Sequence, residues 1–189
     1  MVSNLQNTFP EILMNTNPDI EVKYQVPLYG QIHKVDCKGL IDILIINHSE
    51  KTVKIIDLKT FYGHPLDFST TAHSHRYDIQ LAFYQYLYDR LFPSDYKIEC
   101  YYLVSSPAYP EIPVLFKLSS ELLKIGRVGR DAFQLQVPNK PELFIQKNEV
   151  EGFLNLLDKY KFYLEYGFNK DQRIVLNNSR FKMDWSGIV

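Results

Sequence analysis

Gly39-Leu-Ile-Asp42-Ile-Leu-Ile-Ile-Asn47 and Thr52-Val-Lys-Ile-Ile-Asp57-Leu-Lys59-Thr60 are two aliphatic, β-branched runs separated by the polar break Asn47-His-Ser-Glu-Lys51. Runs of that length and composition on either side of turn residues read as the two arms of a hairpin. Each arm carries one aspartate within an otherwise apolar stretch, where a charge is costly unless paired or bound to metal. Asp42 precedes the break by five residues and Asp57 follows it by six, so the two carboxylates can stand side by side. Lys59 is two residues beyond Asp57, and the strand period of two sets both side chains on one face.

Working outward, Ile20, Val22, Tyr24 and Val26 alternate with polar residues as in a half-buried strand over Ile20–Leu28, and Gly30 marks a turn. Residues 61–75, with Gly63, Pro65 and three histidines, read as a loop. Tyr77, Gln80, Leu81, Tyr84, Leu87, Tyr88 and Leu91 recur at spacings of three and four, which predicts a helix over Arg76–Phe92 closed by Pro93. Lys97–Ser105 and Val114–Leu118 read as further strands. Ser119 is placed to cap a helix through Leu122 and Leu123. Glu149–Tyr166 reads as an amphipathic helix stopped at Gly167. A short helix near Glu11–Asn15 and a docking of Phe181 and Trp185 on the body complete the expected elements. The order gives an α/β chain, a central mixed β-sheet flanked by helices, and not a regular βαβ repeat. No linker-like composition divides residues 1–189, so one domain is expected, with a core over about 20–118 and a helical part over about 119–189.

The chain has 189 residues, 46% of them hydrophobic and 23% charged, an ordinary balance for a soluble globular protein. Fourteen tyrosines and twelve phenylalanines accompany one tryptophan, and tyrosine suits wet clefts as well as cores. The formal charge of −1 argues against tight binding of nucleic acid by the chain as a whole, because phosphate binding is driven by lysine and arginine displacing counterions. Two distant cysteines, Cys37 and Cys100, are too few for a disulfide framework or a zinc cluster and read as buried free thiols. No basic-then-apolar leader and no apolar run of 18 residues occur, so a soluble, cytoplasmic protein is expected.

Two carboxylates and an ammonium on one small patch suit hydrolysis of a phosphodiester. The carboxylates supply hard oxygen ligands for Mg²⁺ or Mn²⁺, the metal lowers the pKa of a bound water, and a lysine beside that water orients it. An Asp-x-Lys step on a strand also forms ordinary same-face ion pairs, so the trio by itself raises only the possibility of a metal site.

The combination of Gly39-Leu-Ile-Asp42, Ile55-Ile-Asp57-Leu-Lys59-Thr60 and Tyr77-Asp-Ile-Gln80-Leu-Ala-Phe-Tyr84 resembles the PD-(D/E)XK nuclease superfamily, in its RecB-like branch that includes phage recombination exonucleases. The resemblance covers about residues 20–105 and implies a restriction-endonuclease-like core. It implies that Asp42 and Asp57 bind Mg²⁺ or Mn²⁺, with the Leu58 carbonyl as a further ligand and Glu21 as a candidate to complete the set. It gives Lys59 the attacking water and sets Gln80 and Tyr84 beside the site. Thr60, Arg76 and Tyr77 are expected at the DNA backbone, and Lys124, Arg127 and Arg130 form the best local basic strip. The implied activity is that of a DNA exonuclease in phage-type recombination or repair. An endonuclease on structured or specific DNA and a non-catalytic scaffold keeping the fold are the alternatives. Partners would be DNA, a single-strand annealing or recombination protein, and further copies of the chain in a homo-oligomer.

The chain departs from the pattern in three ways. Ile56 stands where the name's proline would be, no histidine precedes Glu21, and two cysteines cannot hold the iron-sulfur cluster of some relatives. No phosphate-loop motif is present. His33 reads as a surface or turn residue, and His64, His73 and His75 as loop histidines bordering the cleft.

Overall fold

The structure, a computed structural model, describes residues 16–137 and 140–167. The helix expected near Glu11 and the docking of Phe181 and Trp185 lie outside these residues. Strands β1 (Ile20–Ile32), β2 (Val35–Asn47) and β3 (Thr52–Thr60) are followed by a 3₁₀ turn (Pro65–Asp67) and helices α1 (Phe68–Ser74) and α2 (Tyr77–Leu91). Then come β4 (Lys97–Ser105), β5 (Val114–Lys117), α3 (Ser120–Val128), the hairpin β6 (Phe133–Val137) and β7 (Lys140–Lys147), and α4 (Phe153–Tyr166). The sheet order is β1-β2-β3-β4-β5, with β6 and β7 forming a separate two-stranded sheet.

β1, β2 and β3 form an antiparallel meander, β3 and β4 run parallel, and β5 returns antiparallel. Parallel neighbours need a crossover, which α1 and α2 provide. The sheet is therefore mixed, as expected, and no described helix is long and apolar enough to cross a membrane.

Four expectations are corrected. Gly30 is a strand residue and not a turn: a Cβ there would stand 3.0 Å from Leu87, so its lack of a side chain lets α2 lie against β1. The turn is instead His33–Lys34, both with positive φ, between the paired Ile32 and Val35. Those are the dihedral signs a two-residue hairpin turn demands. Residues 61–75 are not a plain loop, because Pro65 starts the 3₁₀ turn and α1 buries Phe68 among Tyr77, Tyr102 and Phe116. The last helix begins at Phe153 rather than Glu149, since Val150 is held in a bridge with Arg130. The part after residue 119 is also not purely helical, because β6 and β7 lie within it.

The main core lies between the sheet and the helices. Leu28, Ile32, Ile41, Leu44, Val53, Ile55, Cys100, Tyr102 and Val104 meet Leu81, Ala82 and Leu87 of α2, Leu123 of α3 and Phe153 of α4. The opposite face holds a smaller cluster of Ile43, Ile45, Ile56, Tyr101 and Leu103. Cys37 and Cys100 are free thiols, and burial pushes the Cys100 thiol up to about 12, as befits an inert core residue.

One irregularity positions the site. On β1, Ile20 and Val22 pack on the smaller cluster, whereas Val26, Leu28 and Ile32 pack on the main core. Residues of one parity cannot reach both faces of a regular strand, so β1 must change face between them. It does so at Gln25, whose φ is 51°. β2 makes the matching change between Ile41 and Leu44, with Tyr24 opposite Ile43 and Val26 opposite Ile41. Gln25 and Asp42 occupy the switch.

Candidate active site

The β2–β3 ladder runs from Asn47 opposite Thr52 to Ile43 opposite Ile56 and then ends. Past this point the Leu58 N–H donates to the Asp42 carboxylate (Oδ2, 2.9 Å) instead of to a β2 carbonyl. A side chain has taken the place of a backbone acceptor, and the two strands part around it. The other Asp42 oxygen, Oδ1, accepts from Gln25 Nε2 at 3.0 Å.

Asp57 and Lys59 share the α2-facing side of β3 with Val53 and Ile55. The Asp57 side chain is 4% exposed and the Lys59 side chain 17%. Lys59 Nζ lies 2.8 Å from Asp57 Oδ2, and Gln80 Nε2 donates to Asp57 Oδ1 at 2.9 Å. Lys59 also donates to Gln80 Oε1 at 2.8 Å and sits 4.4 Å from the centroid of the Tyr77 ring. Gln80 Nε2 donates in addition to the Tyr84 hydroxyl at 3.0 Å. Tyr77, Gln80 and Tyr84 fall on one face of α2 through their spacings of three and four. The Tyr84 ring lies over Gly39, where a Cβ would come within 3.1 Å of it.

Burial pushes the Asp57 carboxyl above its usual range. Lys59 works against that shift through its hydrogen bond and charge, and the neighbouring Asp42 carboxylate adds to it. Desolvation wins over a 2.8 Å ion pair because the carboxylate has left water almost completely. A site in which an ionised group is disfavoured is one that a cation would relieve.

The donor set fits a hard divalent ion. Asp42 and Asp57 offer paired oxygens, while no three His, Cys, Asp or Glu side chains come together among the described residues. An ion such as Mg²⁺, which keeps several of its waters, needs no more protein ligands than that. A closed tetrahedral zinc site would need more.

Other expected residues are placed elsewhere. Glu21 is opposite Ile46 and paired with Lys23 at 2.9 Å. It lies four positions before Gln25 on the strand, about 13 Å at the rise of a β-strand, so it does not join Asp42 and Asp57. Leu58 visibly contributes its N–H. Thr60 closes β3, exposed and in register with Ser105. Arg76 is engaged with Asp78 through two hydrogen bonds of 2.9 Å. Tyr77 is half-buried against Phe68 and Tyr102. Lys124 and Arg127 line a groove by the start of β4, whereas Arg130 lies over the Phe133 ring (4.6 Å) in a depression that also holds Asp131, Glu149 and Glu151. The expected basic strip is therefore divided. His33 bonds Asp158 at 2.7 Å, His64 starts the 3₁₀ turn against Tyr109, and His75 packs beside Tyr77.

Gln25 is the residue that sequence reading passes over. It occupies a polar slot of an alternating strand, which reads as solvent-facing. Only a correct turn at His33–Lys34 sets it opposite Asp42.

A mixed sheet that opens at its middle to hold two aspartates and a lysine under a glutamine-bearing helix is a restriction-endonuclease-like arrangement. The chain belongs to the PD-(D/E)XK nuclease superfamily, whose sequence profile matches residues 7–153. A solved structure from Eubacterium rectale, provisionally named as an exonuclease, is similar at 17% identity with a TM-score of 0.47, over 65% of this chain and 44% of that one. The structure of SSO0001 is similar at 15% identity with a TM-score of 0.33, over 66% of this chain and 51% of that one. The chain spans about half the length of these two structures. No curated protein matches it.

Proposed function

We infer that this nuclease hydrolyses DNA phosphodiester bonds with Mg²⁺ or Mn²⁺ at Asp42 and Asp57, as an exonuclease of recombination or repair. The observation that carries the reading is the Lys59 ammonium, held by both Asp57 and Gln80 beside a second carboxylate. The preference for an exonuclease rests on the order of the blocks Gly39–Asp42, Asp57–Thr60 and Gln80–Tyr84, which resembles the RecB-like branch.

Asp42 and Asp57 would hold the ion, which would supply electrophilic stabilisation of the phosphate and a more acidic water. Lys59 exchanges its contact with Asp57 for the attacking water or a phosphate oxygen, and its donors orient that group. Gln80 keeps Lys59 and Asp57 at a fixed separation while this happens. Gln25 keeps the Asp42 carboxylate turned toward the parting of β2 and β3.

Degradation of end-labelled linear duplex, end-labelled single strand and closed circular DNA tests the reading, with Mg²⁺, with Mn²⁺ and with chelator. Metal-dependent loss of the linear substrates with an intact circle is expected. Cutting of the circle at a comparable rate would make the chain an endonuclease, and cleavage undiminished by chelator would remove the metal from the account.

A further inference from the structure

Beyond the site, a groove of about 660 Å³ lies where the start of β4 and the end of β5 meet α3. Its wall carries Lys97, Lys117, Lys124 and Arg127 against one carboxylate, Glu99. That is a local surplus of three positive charges on a chain whose formal total is −1.

Glu99 does not cancel the groove. Its Oε1 takes Lys97 at 2.8 Å and Lys117 at 2.7 Å, and its Oε2 accepts from the Tyr101 hydroxyl at 2.6 Å. The contacts hold its carboxyl down at about 2, so it stays ionised and pins both lysines in place. Each ammonium has three donors and spends one on Glu99. Lys124 and Arg127, exposed and three residues apart on α3, share a helical face. No carboxylate of the described residues pairs with either, and Ser119 begins the helix at the same wall.

The groove is separate from Asp57 and Lys59. Asp57 is level with Tyr102 on β4 and Lys97 lies five residues earlier, about 17 Å along the strand. Its four cations are all exposed, so nothing encloses a single small anion. Cations spread over three elements along an open surface suit an extended polyanion, which exchanges counterions for several contacts at once.

We propose that the groove formed by Lys97, Lys117, Lys124 and Arg127 is a second nucleic-acid site, holding the phosphate backbone of a DNA segment remote from the bond being cut. The choice of DNA as the polyanion rests on the nuclease reading. A duplex rises about 3.4 Å per base pair, so a segment reaching the groove extends at least about five base pairs beyond the reacting phosphate.

The test is fluorescence-anisotropy titration of the full chain in chelator, with a hairpin duplex stem of about four base pairs, too short to span the distance at about 3.4 Å per pair, and a duplex of about 30, at several salt concentrations. The double variant Lys124→Ser/Arg127→Ser is compared with the parent and with the charge-keeping Lys124→Arg/Arg127→Lys. The proposal expects weaker binding of the long duplex and a plot of log K against log salt shallower by about two in slope, since each lost phosphate contact removes about 0.9. The short stem and the charge-keeping variant should match the parent. An unchanged slope on the long duplex, or an equal loss on both lengths, overturns the proposal. So does a loss of binding to anionic-lipid vesicles with DNA binding intact. These readouts need no cleavage, so an inactive parent would count against the nuclease reading and leave the groove separately tested.

Discussion

Gln80 donates from Nε2 to Asp57 Oδ1 at 2.9 Å, while the oxygen of the same amide accepts from Lys59 Nζ at 2.8 Å. Only one orientation of the amide serves both partners, so α2 sets the spacing between a β3 carboxylate and a β3 ammonium.

Gln80→Leu should keep the fold, because the side chain projects from one face of a helix otherwise anchored by Leu81 and Leu87. Cleavage should fall about 10–100-fold, the usual cost of removing a group that orients metal ligands. Gln80→Glu should do more than that. A second anion beside Asp57 pushes its carboxyl further up, so the acid limb of the pH–rate profile should move to higher pH. An unmoved profile in this variant would separate Gln80 from Asp57.

Asp57→Asn should make the protein more stable and inactive. A carboxyl whose folded-state pKa exceeds its unfolded value binds more protons in the folded chain, so stability falls as pH rises from the unfolded value through the folded one. Burial raises Asp57 in this way, so its ionised form costs stability at neutral pH in the absence of metal. Thermal denaturation in chelator at pH 7 should give a higher Tm for the variant. The advantage should vanish by about pH 4, near the unfolded pKa of an aspartate. Equal Tm values at pH 7 would contradict the assignment.

Gly126→Ala probes the packing that holds α2 in place. A Cβ at Gly126 would stand 2.4 Å from the Asp78 backbone oxygen and 2.9 Å from Ala82 Cβ. Backbone cannot step aside as a flexible side chain can, so α3 must move away from α2. Overpacking of this kind costs about 1–3 kcal/mol, which denaturant titration reads as a lower midpoint. An unchanged midpoint would mean that the two helices are not in this contact.

Tyr102→Phe should be neutral or stabilising. The Tyr102 hydroxyl is buried with no hydrogen-bond partner among the described residues, and burial and the nearby Asp57 both push its pKa up. An unsatisfied buried hydroxyl costs about 1–3 kcal/mol, and phenylalanine keeps the ring contacts with Phe68 and Tyr77. A marked loss of stability would show that the hydroxyl has a partner.

How far the chain could be read without coordinates depended on whether the signal was local. β3 and β4 coincide with their expected bounds because unbroken β-branched and aromatic runs end at polar turns. Asp57, Lys59, Gln80 and Tyr84 meet as expected, since a strand period of two and helical steps of three and four fix their faces. The meander was harder. His33–Lys34 lacks the Asn-Gly or Asp-Gly chemistry that announces a two-residue turn, and Gly30, kept small for Leu87, imitated one. That displacement of the turn hid Gln25 opposite Asp42. It also set Glu21 near a site that in fact begins four positions further along the strand, at Gln25. The division of Lys124 and Arg127 from Arg130 depends on where α3 ends and on the Arg130–Val150 bridge, a contact 20 residues apart in sequence with no local mark.

The central claim is that Asp57 and Lys59 belong to a phosphodiester-cleaving centre and are more than a buried ion pair. Cleavage of end-labelled linear duplex DNA with Mg²⁺ by the parent, Asp57→Ala and Lys59→Ala, with circular dichroism confirming the fold of each, tests it most directly. The expected result is cleavage by the parent and a loss of about 10²–10⁴-fold or more in each folded variant. Full activity of either folded variant would contradict the account.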